Sequence, residues 1–211
     1  MKQRCCILLF MLMAVLVKSN AQISVGFRNS HLASVQYTFA NHTAVAVEQS
    51  LFAEKLQCQH IRLYGIYSPL QLTSRINLSG EAYFGTTYNG SYQDMGAVVT
   101  ANANIFHGNN EKATGRTNIY ASVNPHYDTT LKYKTCFAAG FETHLCRSIS
   151  FVSEYTTIPE YRQSEQRLRC GFRFFIMSQN YGSLSVQPLV SIPLEELPQN
   201  SRFHVNFTYT F

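Results

Sequence analysis

The C-terminal segment from Ser201 to Phe211 alternates strictly between polar and apolar side chains. One parity carries Phe203, Val205, Phe207, Tyr209 and Phe211, and the other carries Arg202, His204, Asn206, Thr208 and Thr210. Successive side chains of a β-strand point to opposite faces, so this alternation predicts a strand with one apolar and one polar face. The fold must therefore offer this strand an apolar environment on one side and an aqueous one on the other.

The same alternation recurs along most of the chain, with turn residues between the segments. Asn89-Gly90 predicts a tight hairpin, whereas Ser68-Pro69 and Pro125 are expected to end their strands. Counting the segments predicts an all-β chain of about twelve antiparallel strands; ten or eight remain alternatives, because residues 43–56 fit either one strand and a loop or parts of two. Strands of roughly 9 to 11 residues match those of an up-and-down transmembrane β-barrel.

The N-terminus has the pattern of a secretory signal peptide. Lys2 and Arg4 precede an apolar run from Cys5 to Val17, and the small residues before Gln22 suit cleavage after Ala21. The run is shorter than the roughly 20 residues of a membrane-spanning helix. We therefore predict a signal peptide over residues 1–21 and one barrel domain over residues 22–211.

In its C-terminal strand the chain resembles the bacterial outer-membrane β-barrel proteins. The resemblance rests on Phe203, Val205, Phe207, Tyr209 and the terminal Phe211. It implies that these residues form the signal read by the barrel-assembly machinery. It further implies a Gram-negative outer membrane, a barrel surrounded by outer-membrane lipid, and both termini in the periplasm.

A soluble exported β-sandwich or a lipocalin-like binding protein would also alternate, but its interior would be apolar. A wall of about twelve strands encloses a lumen too wide to fill with Phe and Leu, whereas lipid accepts such residues without packing constraints. Aromatic residues near the predicted strand ends are typical of membrane-interface girdles, as at Tyr67, Tyr88, Tyr92, Tyr127 and Tyr133. The membrane barrel is the preferred interpretation.

The polar parity collects charged residues that are expected to face the lumen. They include Glu48, Arg62, Arg75, Glu81, Lys132, Lys134, Glu142, Glu154, Arg167, Arg169, Arg173 and Arg202. Either these charges pair with one another and plug the lumen, or the excess of basic residues favours anions in a narrow passive pore. Pairing is the preferred interpretation, because unpaired charges in a confined space are costly.

Catalysis, cofactors and nucleic acid find little support in the sequence. The histidines are scattered, so an enzyme acting on lipid or peptide at the barrel rim remains only an alternative. Cys58, Cys136, Cys146 and Cys170 lack metal-ligand spacing and are expected to be free thiols, with one disulfide at most as the alternative, and no cofactor is predicted. Removing residues 1–21 would lower the formal net charge from +5 to +2, which gives no reason to expect nucleic acid. We predict a non-enzymatic structural or interaction barrel, or a porin-like pore.

Overall fold

The computed structural model describes residues 22–28, 32–39, 42–50, 59–106, 115–130, 132–157, 166–178, 182–194 and 201–211. These residues form twelve strands: β1 (Gln22–Arg28), β2 (Leu32–Thr38), β3 (Thr43–Ser50), β4 (His60–Gln71), β5 (Ile76–Thr87), β6 (Gln93–Phe106), β7 (Thr117–Asp128), β8 (Lys132–Cys146), β9 (Ile149–Thr156), β10 (Arg167–Ser178), β11 (Gly182–Pro193) and β12 (Arg202–Thr210). The predicted signal peptide lies outside the described residues. Among the described residues, no helix has the length and apolar character needed to cross a membrane.

Each strand pairs antiparallel with its neighbour in sequence, and β12 returns to pair with β1. The closing seam aligns Val25 with Tyr209 and Phe27 with Phe207, and the N–H of Phe211 donates to the carbonyl of Ile23 at 2.9 Å. This confirms the predicted all-β, up-and-down, twelve-stranded barrel. Because the number of strands is even, the start of β1 and the end of β12 lie at one end of the barrel, called here the terminal end; the opposite one is the far end.

The alternation assigns every strand one inward and one outward face. In β4, Leu63 points outward and is 59% exposed, whereas the flanking Arg62 and Tyr64 point inward and are buried. Large apolar side chains occupy outward positions around the barrel, among them Phe84, Val99, Phe137, Phe172 and Ile176. Charged and polar side chains occupy the interior, so the distribution is the reverse of that in a water-soluble protein.

Two strands continue past the prolines at which the sequence predicts their ends. Ser68-Pro69 does not end β4, because the pairing with β5 shifts register between Tyr67 and Leu70 and the strand continues to Gln71. An irregularity of this kind accommodates a proline that cannot donate a ladder hydrogen bond. Pro125 likewise does not end β7, which continues to Asp128. The paired residues of β6 and β7 are interrupted beside Pro125, but the register is the same on both sides.

One aromatic residue expected at the membrane interface is buried instead. Tyr92 is 2% exposed and packs edge-on against the imidazole of His60, with ring centroids 5.6 Å apart. The turn after β5 brings Tyr92 inward, because its N–H donates to the hydroxyl of Thr87 at 3.1 Å. The other residues of this group, Tyr67, Tyr88, Tyr127 and Tyr133, are exposed.

Candidate functional site in the barrel lumen

A row of charged residues crosses five neighbouring strands in the far half of the barrel. Direct register partners connect Glu48 in β3, Arg62 in β4, Gly85 in β5, Asp94 in β6 and Asp128 in β7. All of these positions face inward and are buried, and Asp94 has no exposed surface. The strand register therefore brings together charges that are far apart in sequence.

Arg62 and Asp94 form an ion pair across the intervening strand. The guanidinium bonds to Oδ2 of Asp94, while Nε2 of His60 donates to Oδ1 at 3.0 Å. The guanidinium also lies 4.6 Å from the centre of the Tyr83 ring, within range of a cation–π contact. Both carboxylate oxygens of Asp94 are thus bonded, which a buried carboxylate requires.

A second hydrogen-bonded chain runs beside this pair. Nε2 of His126 lies 3.0 Å from Oδ2 of Asp128, and Nδ1 lies 2.7 Å from the Tyr83 hydroxyl. A carboxylate only accepts, so Nε2 carries the proton, and in the neutral ring Nδ1 accepts from Tyr83. The amide of Asn124 lies 3.2 Å from the same hydroxyl. The histidine is therefore a fully bonded part of the wall.

Glycines make these cross-strand contacts possible. In two rows a tyrosine lies over a glycine of the next strand and bonds to the strand beyond it: Tyr83–Gly96–His126 and Tyr120–Gly140–Glu154. In a third row, Arg62–Gly85–Asp94, the Asp94 carboxylate and the His60 ring lie over the glycine. A Cβ at Gly85 would overlap the Asp94 carboxylate, and one at Gly96 would come within 2.5 Å of the Tyr83 hydroxyl. Because these glycines have no side chain, the side chains of neighbouring strands can extend across them along the wall.

Two further ion pairs line the wall formed by β8, β9 and β10. Arg169 donates to Glu154 at 3.4 Å, and Arg173 donates to Glu142 at 2.7 Å. Glu154 also accepts from the Tyr120 hydroxyl at 2.6 Å. Unlike the Arg62–Asp94 pair, these side chains remain partly exposed to the lumen.

The other predicted lumenal charges are spread over the barrel. Glu81 and Lys134 are half-buried on inward positions, and Arg167 is buried at the far end. Lys132 and Arg202 are exposed at the first residues of β8 and β12. Arg75 is also exposed, because it lies in the turn between β4 and β5 and not in a strand. These last three residues are at the barrel rims.

Asp94 and Asp128 are two lumenal carboxylates that are absent from the charges predicted to face the lumen. With them, acidic and basic inward side chains are almost equal in number among the described residues. The acidic ones are Glu48, Glu81, Asp94, Asp128, Glu142 and Glu154, and the basic ones are Arg62, Lys132, Lys134, Arg167, Arg169, Arg173 and Arg202. The predicted excess of basic residues is therefore much smaller. Asp94 lies two residues before Gly96, and Asp128 lies four residues after Asn124, and both of these neighbours are predicted to face inward. Extending the same alternation by a few residues would therefore have predicted that both aspartates face the lumen.

The C-terminal apolar residues all lie on the outward face of β12. Phe203, Phe207 and Phe211 are exposed, with Phe211 at 67%, and Val205 and Tyr209 are half-buried. Tyr209 and Phe211 pack edge-to-face with ring centroids 4.6 Å apart. The segment is thus an apolar stripe at the seam of the barrel.

The wall also contains a serine–histidine contact, between the Ser150 hydroxyl and Nδ1 of His144 at 3.0 Å. Ser150 is fully buried, so its hydroxyl is inaccessible to a substrate. Among the described residues, no group of three or more His, Cys, Asp or Glu side chains could hold a metal ion. Cys136, Cys146 and Cys170 carry free thiols, and Cys58 lies outside the described residues.

Comparison with known proteins identifies relatives by fold only. No protein-family model matches the chain, and no curated protein matches its sequence. The structure is similar to a KdgM porin in complex with disordered oligogalacturonate, with a TM-score of 0.61 and 9% identity over 90% of this chain and 98% of that one. It is also similar to another structure of KdgM porin (TM-score 0.60, 9% identity, 90% and 98% covered) and to NanC porin in a rhombohedral crystal form (TM-score 0.50, 8% identity, 90% and 97% covered). The chain therefore shares the barrel fold of these porins.

Proposed function

We propose that this protein is an outer-membrane β-barrel that forms a narrow passive pore for small polar solutes. The observation that carries the proposal is the inverted distribution of polarity around a closed barrel. Outward residues such as Leu63 and Ile176 are about 60% exposed, while Asp94 and His126 inside are at most 1% exposed. Apolar residues around a closed wall suit lipid, and polar residues inside suit a hydrated lumen.

This distribution counts against the soluble alternatives. A lipocalin-like barrel would place apolar residues inside, and a sandwich would leave sheet edges, whereas β1 and β12 close this sheet. Exposed aromatic residues near strand ends, including Tyr67, Tyr127, Tyr133 and Phe203, fit the two interfaces of a bilayer. A bacterial outer membrane, with its lipid around the barrel, is the compartment where single-chain barrels of this kind function.

The lumen favours a pore of weak ionic selectivity. Arg169 and Arg173, which would attract anions, each bond to a glutamate. One of the similar structures is described as a KdgM porin in complex with oligogalacturonate, a polyanion. The near balance of lumenal charge in this chain supports a different preference, because a passing anion meets carboxylates and guanidinium groups together.

We also propose that the outward residues of β12 are the signal for barrel assembly. The stripe Phe203, Val205, Phe207, Tyr209 and Phe211 is apolar and ends at the terminal aromatic residue. The strand forms both the last ladder with β11 and the seam with β1. The barrel-assembly machinery is the partner that this stripe suits, and insertion would close the seam last.

The pore is tested by electrical recording from the refolded mature protein in planar lipid bilayers. We expect discrete conductance steps in KCl solution, with a reversal potential near zero in a salt gradient. The expectation follows from paired lumenal charges, which give neither ion a large advantage. Absence of steps at every voltage would contradict the pore, and a strong preference for chloride would contradict the balanced lumen.

A further inference from the structure

A cavity of about 270 Å³ lies in the lumen on the side formed by β1 to β5, β11 and β12. It lies beside the Arg62–Asp94 pair but does not include either residue among those that line it. Its wall carries the amide side chains of Gln36, Gln187 and Asn206. Each amide offers both donors and an acceptor, which makes this wall suited to groups that also donate and accept.

The charged side chains that line this cavity are both carboxylates, Glu48 and Glu81. Two guanidinium groups lie behind this wall and are already bonded within the protein. Arg62 donates to Asp94 and to the Tyr64 hydroxyl, and Arg173 donates to Glu142 and, through Nη2, to Oε1 of Gln187 at 3.3 Å. An anionic solute in this cavity would therefore face carboxylates at close range without a guanidinium among the lining residues. The cavity disfavours anions.

The two carboxylates do not require a cationic solute either. Glu48 accepts from the Tyr64 hydroxyl at 3.1 Å, and both glutamates have partners within the protein. Tyr64 belongs to a small buried apolar cluster that includes Ala46, with Ile66 packed against it. The cavity thus combines an apolar floor with hydrogen-bonding walls, the arrangement typical of sites for small uncharged ligands.

We propose that this cavity is a binding subsite for a small, uncharged, polyhydroxylated solute, such as a single sugar unit, on its way through the pore. The proposal rests on the proposed pore function and names its solute class. Hydroxyl groups can donate to the glutamates and exchange hydrogen bonds with the amides, while the carbon face of the solute packs on the apolar floor. Because such a solute is uncharged, its binding does not bury a charge that lacks an oppositely charged partner.

The test uses the refolded protein in planar bilayers, with glucose, glucuronate and glucosamine as probes of similar size and different charge. We expect glucose to reduce the open-pore current in a saturable way and at lower concentration than either charged probe. Equal or stronger block by glucuronate would overturn the proposal in favour of an anion site. Stronger block by glucosamine would overturn it in favour of a cation site.

A pair of matched variants locates the subsite. Asn206→Leu removes an amide from the cavity wall, and Asn102→Leu makes the same change at an inward position of β6 outside the cavity. We expect Asn206→Leu to raise the half-blocking glucose concentration by about twofold to tenfold, the effect of losing one hydrogen bond, and Asn102→Leu to leave it unchanged. Equal effects of the two variants would overturn the assignment. If KCl conductance itself were absent, the pore proposal would fail; conductance without saturable glucose block would refute the subsite alone.

Discussion

Replacing Asp94 with asparagine is expected to lower the free energy of unfolding of the barrel by about 3–5 kcal/mol. Asparagine has nearly the same shape and its oxygen can still accept from His60, but its NH2 group replaces the oxygen that accepts from Arg62, so the substitution removes the charge and one acceptor. The Arg62 guanidinium would remain buried in the wall without its carboxylate partner. Urea titration of the refolded protein in detergent, followed by tyrosine fluorescence, measures the change.

The double variant Arg62→Met with Asp94→Asn is the control for this prediction. Methionine fills a similar volume without a charge, so the double variant is expected to recover most of the lost stability. If Asp94→Asn alone cost less than about 1 kcal/mol, the pair would behave as an exposed surface ion pair. That result would contradict its place inside a packed wall.

Replacing Glu142 and Glu154 together with glutamine is expected to make the pore prefer anions. The substitutions leave Arg169 and Arg173 without the carboxylates to which they bond. A unit charge about 5 Å from an ion in water changes the energy of that ion by about 0.8 kcal/mol. Two charges act in opposite directions on chloride and potassium, so the chloride-to-potassium permeability ratio is expected to rise by the order of a hundredfold at low salt. The reversal potential in a KCl gradient measures this ratio.

The control for selectivity removes an ion pair as a unit. Glu142→Gln with Arg173→Gln leaves the net lumenal charge unchanged, so its reversal potential is expected to stay close to that of the unmodified protein. An unchanged reversal potential in the Glu142→Gln, Glu154→Gln variant would show that these pairs lie away from the ion path.

The sequence was sufficient to predict the architecture because each strand has one face in an apolar environment and one face in a polar environment. Alternation in segments such as Ile61 to Tyr67 and Phe203 to Phe211 predicts which side chains face outward without knowledge of any partner strand. Two of the errors in strand bounds occurred where a local rule for proline was applied to strand ends. Pairing with the neighbouring strands allows β4 to continue past Ser68-Pro69 and β7 to continue past Pro125.

The arrangement of the lumen required information that the alternation does not contain. Ending β7 at Pro125 excluded His126 and Asp128, and beginning β6 at Met95 excluded Asp94. Even with correct boundaries, the contact between Arg62 and Asp94 depends on the register of three strands and on the space above Gly85. Register between neighbouring strands is set by turn geometry and packing, so parity alone could not identify the pairs.

The central claim is that this chain closes into a barrel that resides in a membrane. Its most direct test is the electrophoretic mobility of the mature protein, refolded with detergent and compared before and after boiling. A closed barrel resists detergent until heated, because all its strand edges are paired. We therefore predict a clear difference in mobility and insolubility of the folded protein without detergent. Identical mobility, together with solubility in plain buffer, would contradict the membrane barrel.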